Sequence, residues 1–273
     1  MYDTPIKVDL DLVYQSQRKS LEILHAIDDL CKKHGIKYSL FHGSMLAAVK
    51  YHKFIPWDDD CDIFMMRSEF EKFVQHVSEL PSNLFFQTKE TDPYYHNNVR
   101  KVRMNNTKLI TLTASDNEKY HQGIFVDIFV GDYYPDWSLP IIKVFSWAPN
   151  LKQKRKQYPR GSFKRALYSA VVAPIYLVHT TLEKIWLATI VPLFRKNPKH
   201  RWVGVEAILN DGTFYRKDDW EPVVENIMFE NSCFPIANGY DKILKSMYGD
   251  NYMEYEPKDS EKHWHARKIE INC

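Results

Sequence analysis

Four carboxylates fall within five residues in the run Ile55-Pro56-Trp57-Asp58-Asp59-Asp60-Cys61-Asp62-Ile63-Phe64. Like charges at that spacing repel, and in a low-dielectric setting at least one stays protonated unless a cation offsets the charge. On an extended run, alternate side chains share a face, so Asp58, Asp60 and Asp62 converge while Asp59 points away. Oxygen ligands of this kind suit a hard divalent cation, magnesium or else manganese, which keeps positions open for substrate phosphates.

Three readings compete for this cluster. A solvated acidic loop fits poorly with Ile55, Trp57, Ile63, Phe64, Met65 and Met66 set closely around the carboxylates. An EF-hand calcium loop matches at Asp58, Asp60, Asp62 and Glu69, but Ile63 occupies the sixth position, where the sharp turn demands glycine. The third reading is metal-dependent phosphoryl or nucleotidyl transfer. There, a Gly-Ser turn opening a helix offers backbone amides and a hydroxyl to phosphate, and an Asp-x-Asp pair on the next strand holds the ion. Gly43-Ser44 lies upstream at a fitting distance. Asp127, alternating with apolar residues in Gly123-Ile124-Phe125-Val126-Asp127-Ile128-Phe129, is the candidate third carboxylate.

The elements that must position these groups follow from periodicity. Leu21, Leu24, Ile27, Leu30 and Cys31 recur at helical spacing over residues 13–34, and Gly35 stands where a terminator belongs. A strand is expected over Ile36–Phe41, a short helix from Gly43 to Lys50, and a strand carrying Asp60, Asp62, Ile63 and Phe64. Ser68 with Glu71 reads as a capping box for a helix that buries Phe70, Phe73, Val74 and Val77 and stops at Pro81. Further strands are expected at Leu84–Thr88, Asn98–Met104, Leu109–Thr113 and Gly123–Phe129, and a short helix at Tyr240–Tyr248. Tyr133-Tyr134-Pro135-Asp136 reads as a turn.

Composition excludes whole classes. The chain has 273 residues, 44% hydrophobic, with only 9 glycines, which excludes disorder, collagen and coiled coil. Cys31, Cys61, Cys233 and Cys273 form no Cys-x-x-Cys pair, so the expectation is no zinc site and reduced thiols in a cytosolic compartment. No signal peptide is expected from Met1-Tyr2-Asp3-Thr4-Pro5. A net charge of +2 does not point to nucleic acid, and no nucleic-acid partner is expected. The apolar stretch Ala166–Leu193 is interrupted by Pro174, His179, Glu183 and Lys184, so no membrane-spanning helix is expected. Before it, residues 152–165 carry Lys152, Lys154, Arg155, Lys156, Arg160, Lys164 and Arg165 without an acid. That run fits either a peripheral contact with anionic lipid or the solvated face of a helical subdomain.

The motifs together resemble a known family. His42-Gly43-Ser44-Met45-Leu46-Ala47-Ala48-Val49-Lys50, followed by Phe54-Ile55-Pro56-Trp57-Asp58-Asp59-Asp60-Cys61-Asp62, is similar to the signature of the LicD family. Residues 123–129 resemble its second block and Tyr248-Gly249-Asp250 its C-terminal one, so the resemblance runs from about residue 15 to 265. It implies an α+β, nucleotidyltransferase-like mixed β-sheet flanked by helices, with an inserted helical subdomain. The expected division is a catalytic core over 1–135, a basic and apolar helical subdomain over 136–200, and a segment 201–273 that packs back and closes the site. The reaction it implies moves a substituted phosphate, phosphocholine in the best-known members and ribitol phosphate in fukutin and its related protein. The donor is CDP-activated, CDP-choline or another CDP-alcohol, the acceptor is a hydroxyl of a cell-surface glycan that is lipid-linked in some settings, and CMP leaves. Such a reaction sits in the cytoplasm, at the inner face of the membrane if the peripheral contact is made.

Residue by residue, Asp60 and Asp62 match the family's Asp-x-Asp ligands, Asp58 completes the acidic face, Asp127 matches the acid of the second block, and Gly43 and Ser44 match the phosphate-facing turn. One or two magnesium ions on Asp60, Asp62 and Asp127 would bridge the diphosphate, with Asp58 or Asp127 accepting the acceptor's proton. Two positions depart from the pattern: Ala47 replaces its second glycine, and Lys50 replaces its arginine, keeping the charge but losing bidentate phosphate geometry. Lys101 and Arg103 alternate on a strand and read either as a phosphate clamp or as an exposed basic strand. His263 and His265 read as groups closing over the diphosphate or as a surface tail. A choline-bearing donor favours an aromatic cage, for which Tyr94, Tyr95, Tyr133 and Tyr134 are candidates. Two rivals remain: a nucleotidyltransferase releasing pyrophosphate, and a non-catalytic glycan- or nucleotide-binding module, which has little reason to bear four clustered carboxylates.

Overall fold

The computed structural model describes residues 10–111, 114, 118–143, 162–205, 213–221, 223, 225–254 and 266–271. The chain forms two compact units, the first comprising Met1–Val130 and Asp219–Cys273, the second Gly131–Asp218.

In the first unit, helix α1 (Leu10–His34) buries Ile23, Leu24, Ile27, Leu30 and Cys31 on one face, and Gly35 ends it at φ +62°, where glycine bears no Cβ penalty. Next come β1 (Ser39–Leu40), α2 (His42–Tyr51), β2 (Asp62–Met66) and α3 (Arg67–His76). The strands β3 (Leu84–Gln87), β4 (Arg100–Met104), β5 (Thr107–Thr111) and β6 (Phe125–Tyr134) follow. The sheet order is β1-β2-β6-β4-β3, so the two acid-bearing strands β2 and β6 lie side by side at its centre. Every residue of β2 is buried, as expected for an apolar strand covered on both faces. Helices flank the sheet, an α+β arrangement.

Residues Gly131–Tyr134 of β6 belong to the second unit and pair antiparallel with β7 (Trp202–Val205), which pairs with β8 (Tyr215–Arg216). Between β6 and β7 lies a helical path: α4 (Phe163–Ile185), a wider π-helical turn at Trp186–Ile190, and α5 (Val191–Phe194). The π-helical turn precedes Pro192, which lacks the N–H that a regular turn would use. Tyr134, Ile142, Val191 and Phe194 form this unit's core, with Trp186, Ile190 and Trp202 packed on it. The chain then forms α6 (Lys217–Trp220) and, in the first unit, the antiparallel pair β9 (Glu225–Phe229) and β10 (Ser232–Ile236). Helix α7 (Tyr240–Tyr248) and β11 (Ala266–Ile271), which pairs antiparallel with β5, complete it.

Several local expectations are corrected. The Ser68–Glu71 capping box is not used: α3 starts at Arg67 with Met66 as its cap, because β2 leads directly into the helix. Val74 stays exposed while Phe70 and Phe73 are buried. The strand expected over Ile36–Phe41 is confined to Ser39–Leu40. Tyr133 and Tyr134 continue β6 instead of turning, because pairing with β7 supplies ladder partners. The interruptions in the apolar stretch do not break it: Ala166–Phe194 is helical, and by length and composition alone it is long and apolar enough to cross a membrane. Only two charges, Glu183 and Lys184, fall inside it, and Pro174 is accommodated within α4. The basic residues Lys152 to Arg160 lie outside the described residues, as do His263, His265 and Cys273.

Candidate active site

Gln17, on the buried face of α1, fixes the backbone of the acidic run. Its Nε2 donates to the carbonyls of Ile55 at 2.9 Å and Asp58 at 2.7 Å. Three further bonds set the acids side by side. The Asp62 N–H donates to Ser44 Oγ at 2.9 Å, the Phe41 N–H to the Asp62 carbonyl at 3.0 Å, and the Asp127 N–H to the Cys61 carbonyl at 2.8 Å. β2 opens only at Asp62, so residues 58–61 form the approach to the strand.

The result is an open cleft of about 420 Å³ in the first unit. Gly43, Asp58, Asp60, Asp62 and Asp127 line it together, and His42, Trp57, Phe129 and Tyr248 contribute aromatic rings. The N-terminal turn of α2 reaches this cleft at Gly43, where a helix offers its unpaired amides to anions. Glycine is needed there for space: a Cβ on Gly43 would sit 2.8 Å from Asp58 Oδ2. His42, at φ +41°, holds a left-handed backbone between the rings of Phe41 and Phe129, at centroid distances of 3.9 and 4.9 Å.

Burial and then the neighbouring Asp60, Asp127 and Asp58 carboxylates push the Asp62 carboxyl well above the usual range, against the pull of Lys101. A bound dication inverts that logic by favouring the ionised form. The donor set is chemically suited to one, because oxygens of Asp58, Asp59 and Asp60 lie within 4.8 Å of one another and Asp62 and Asp127 line the same cleft. Asp59 also accepts the Ala266 N–H at 2.5 Å, which ties the acidic run to β11.

The expected site residues divide into two groups. Gly43, Asp58, Asp60, Asp62 and Asp127 converge. Ser44 is buried beneath the cleft, its hydroxyl holding the Asp62 amide. Lys50 lies at the far end of α2, 5.0 Å over the Tyr51 ring. Lys101 and Arg103 share a face, as their spacing requires, but it is a buried one: both lie over the Phe125 ring, at 3.4 and 4.9 Å. Lys101, directly across the ladder from Asp127, forms an ion pair with it, and burial lowers the lysine's pKa. Arg103 donates to Gln87 Oε1 and to the Gly123 carbonyl, both at 2.5 Å, cross-linking three strands' surroundings instead of facing phosphate. Of the cage candidates, Tyr95 is buried with its hydroxyl on the Val99 carbonyl, Tyr94 is exposed, and Tyr133 and Tyr134 are buried in the second unit. Gln17 has no sequence signal as a positioning residue. Tyr248 and His42 lie inside the blocks that resemble the family, and their place beside Gly249 and Gly43 is the signal the sequence carries for them.

Residues 35–160 match the family model described as the LicD/FKTN/FKRP nucleotidyltransferase domain. The chain is 25% identical over 268 residues to the lipopolysaccharide cholinephosphotransferase LicD of Haemophilus influenzae, covering 94% of this chain and 97% of that protein. It is 28% identical over 168 residues to an uncharacterized protein of Rickettsia prowazekii, covering 56% of this chain and 60% of that one.

Proposed function

The chain belongs to the LicD family, and we propose that it is a phosphotransferase that moves phosphocholine from CDP-choline to a hydroxyl of a cell-surface glycan such as lipopolysaccharide, releasing CMP. The observation that carries this reading is the convergence of Asp58, Asp60, Asp62 and Asp127 with the first turn of α2 around one open cleft. The nucleotidyltransferase-like character of the sheet and a cytoplasmic site of action belong to the same proposal.

On this reading the first-turn amides of α2 at Gly43 receive the donor's phosphates. Asp60, Asp62 and Asp127 hold magnesium, which neutralises charge on the diphosphate when bound. Lys101, ion-paired with Asp127 across the ladder, orients its carboxylate. Asp58, backed against Gly43, accepts the proton of the acceptor hydroxyl. That oxygen forms the new bond to the phosphorus of phosphocholine, the bond to the CMP oxygen breaks, and CMP carries away the electron pair. Trp57, Phe129 and Tyr248 offer ring faces to the quaternary ammonium or to cytosine.

The test is CMP release from CDP-choline with magnesium, compared with CDP-ethanolamine, CDP-glycerol and CDP-ribitol. The expected result is turnover of CDP-choline that disappears in Asp60→Ala and Asp62→Ala proteins. Silence with every CDP donor, but turnover of a nucleoside triphosphate, overturns the proposal in favour of nucleotidyl transfer.

A further inference from the structure

Helix α4 is built inside out. Phe163, Leu167, Val171, Ile175, Val178 and Leu182 recur at three- and four-residue spacing and are all exposed. The half-buried side of the same helix carries Tyr168, Ser169, Tyr176, His179 and Glu183. A helix of a water-soluble domain does the reverse, turning its apolar stripe inward. An exposed apolar stripe this long marks a surface that something else covers.

Charge identifies the cover. Residues 152–199 hold eleven lysines and arginines against one acid, Glu183, and the basic residues cluster at both ends of the apolar stripe. That arrangement complements an anionic lipid surface, where basic flanks meet headgroups and apolar side chains enter the acyl boundary.

Topology decides how the helix sits. Tyr134 on β6 pairs with Trp202 on β7, so the chain enters and leaves this region at adjacent points of one ladder. A single crossing would leave those points on opposite sides of a bilayer. Residues 135–162 contain no second run of the roughly 20 apolar residues a return crossing needs.

We propose that α4 lies in the plane of an anionic phospholipid bilayer, its exposed apolar stripe inserted and its basic flanks on the headgroups. The enzyme is then a peripheral membrane protein.

The test is flotation of the full chain with phosphatidylcholine vesicles with and without phosphatidylglycerol, at physiological salt. The protein is expected to float with the anionic vesicles only. A Lys154→Gln/Arg155→Gln/Lys156→Gln protein is expected to lose partitioning by on the order of a hundredfold. A Leu167→Glu/Val178→Glu protein is expected to stay in the dense fraction while keeping the wild-type circular dichroism and unfolding midpoint. Wild-type protein that never floats, or a folded Leu167→Glu/Val178→Glu protein that floats unchanged, overturns the proposal. So does a stable dimer that this double substitution dissociates, since a second copy then covers the stripe. Resistance of bound protein to alkaline carbonate overturns the in-plane placement.

Discussion

The contact between Gly43 and Asp58 separates stability from activity in one substitution. In a Gly43→Ala protein the new Cβ would meet Asp58 Oδ2 at 2.8 Å, whereas ordinary contacts begin near 3.4 Å. The obstructing atom is the end of a flexible side chain, so the backbone has no need to move and the carboxylate swings away by roughly half an ångström or more. Within the first turn of α2, alanine replaces glycine in a helical conformation, a change that favours the helix by up to about 1 kcal/mol. Stability is therefore expected to stay level or rise. Catalytic geometry is less forgiving, since displacing a reacting group by about 1 Å costs on the order of a hundredfold in rate. The expected outcome is a ten- to hundredfold fall in kcat for CMP release, equal to about 1.4 to 2.7 kcal/mol of barrier, with an unchanged or raised unfolding midpoint. Urea titration and donor turnover on the same preparation read both quantities. A Gly43→Ala protein with wild-type turnover refutes the claim that the position of Asp58 governs the reaction. A loss of activity accompanied by a matching loss of stability refutes the steric argument.

Other perturbations probe the supports of the cleft. Lys101→Met leaves the half-buried Asp127 without its ion-pair partner, and chemical denaturation should show a loss of about 1–3 kcal/mol that largely disappears in the Lys101→Met/Asp127→Asn background. Ser44→Ala orphans the buried Asp62 amide; the expected cost is about 1–3 kcal/mol of stability, read by the same titration, and an unchanged midpoint contradicts that role for the hydroxyl. Away from the site, hydrogen bonds from Lys33, His34 and His76 hold the Glu79 carboxyl down at about 2. A depressed carboxylate contributes stability that is complete above its unfolded pKa and is lost as pH falls through the folded value. Thermal midpoints measured from pH 4.5 down to 2 should therefore fall less steeply in Glu79→Gln than in wild type; an unchanged slope contradicts that pairing.

The acids of the cleft were legible because their chemistry is local. Asp58, Asp60 and Asp62 crowd into five residues, and no apolar core accounts for that crowding. Asp127 stood out as a lone charge in an apolar run, and Gly43 as a glycine at a helix start. What surrounds them was not legible, because it depends on which strand lies beside which. Lys101 and Arg103 look like solvent-facing cations until the ladder sets Lys101 opposite Asp127 and turns Arg103 onto Gln87. Ser44 reads as a phosphate ligand until β2 brings the Asp62 amide to its hydroxyl. Long amphipathic segments such as α1 announce themselves, whereas β7, β8 and β9 are short and lack clear alternation. Helix α4 misleads for a different reason: counting its interruptions hides that His179 and Glu183 sit on the half-buried side while the apolar stripe stays exposed.

The most direct test of the central claim is the intact mass of a glycan acceptor after incubation with the enzyme, CDP-choline and magnesium, together with the nucleotide released. The account predicts an acceptor heavier by one phosphocholine, with CMP formed in equal amount and neither product in Asp62→Ala. An acceptor carrying a nucleoside monophosphate with free pyrophosphate, formed from a nucleoside triphosphate while CDP-choline stays intact, contradicts it.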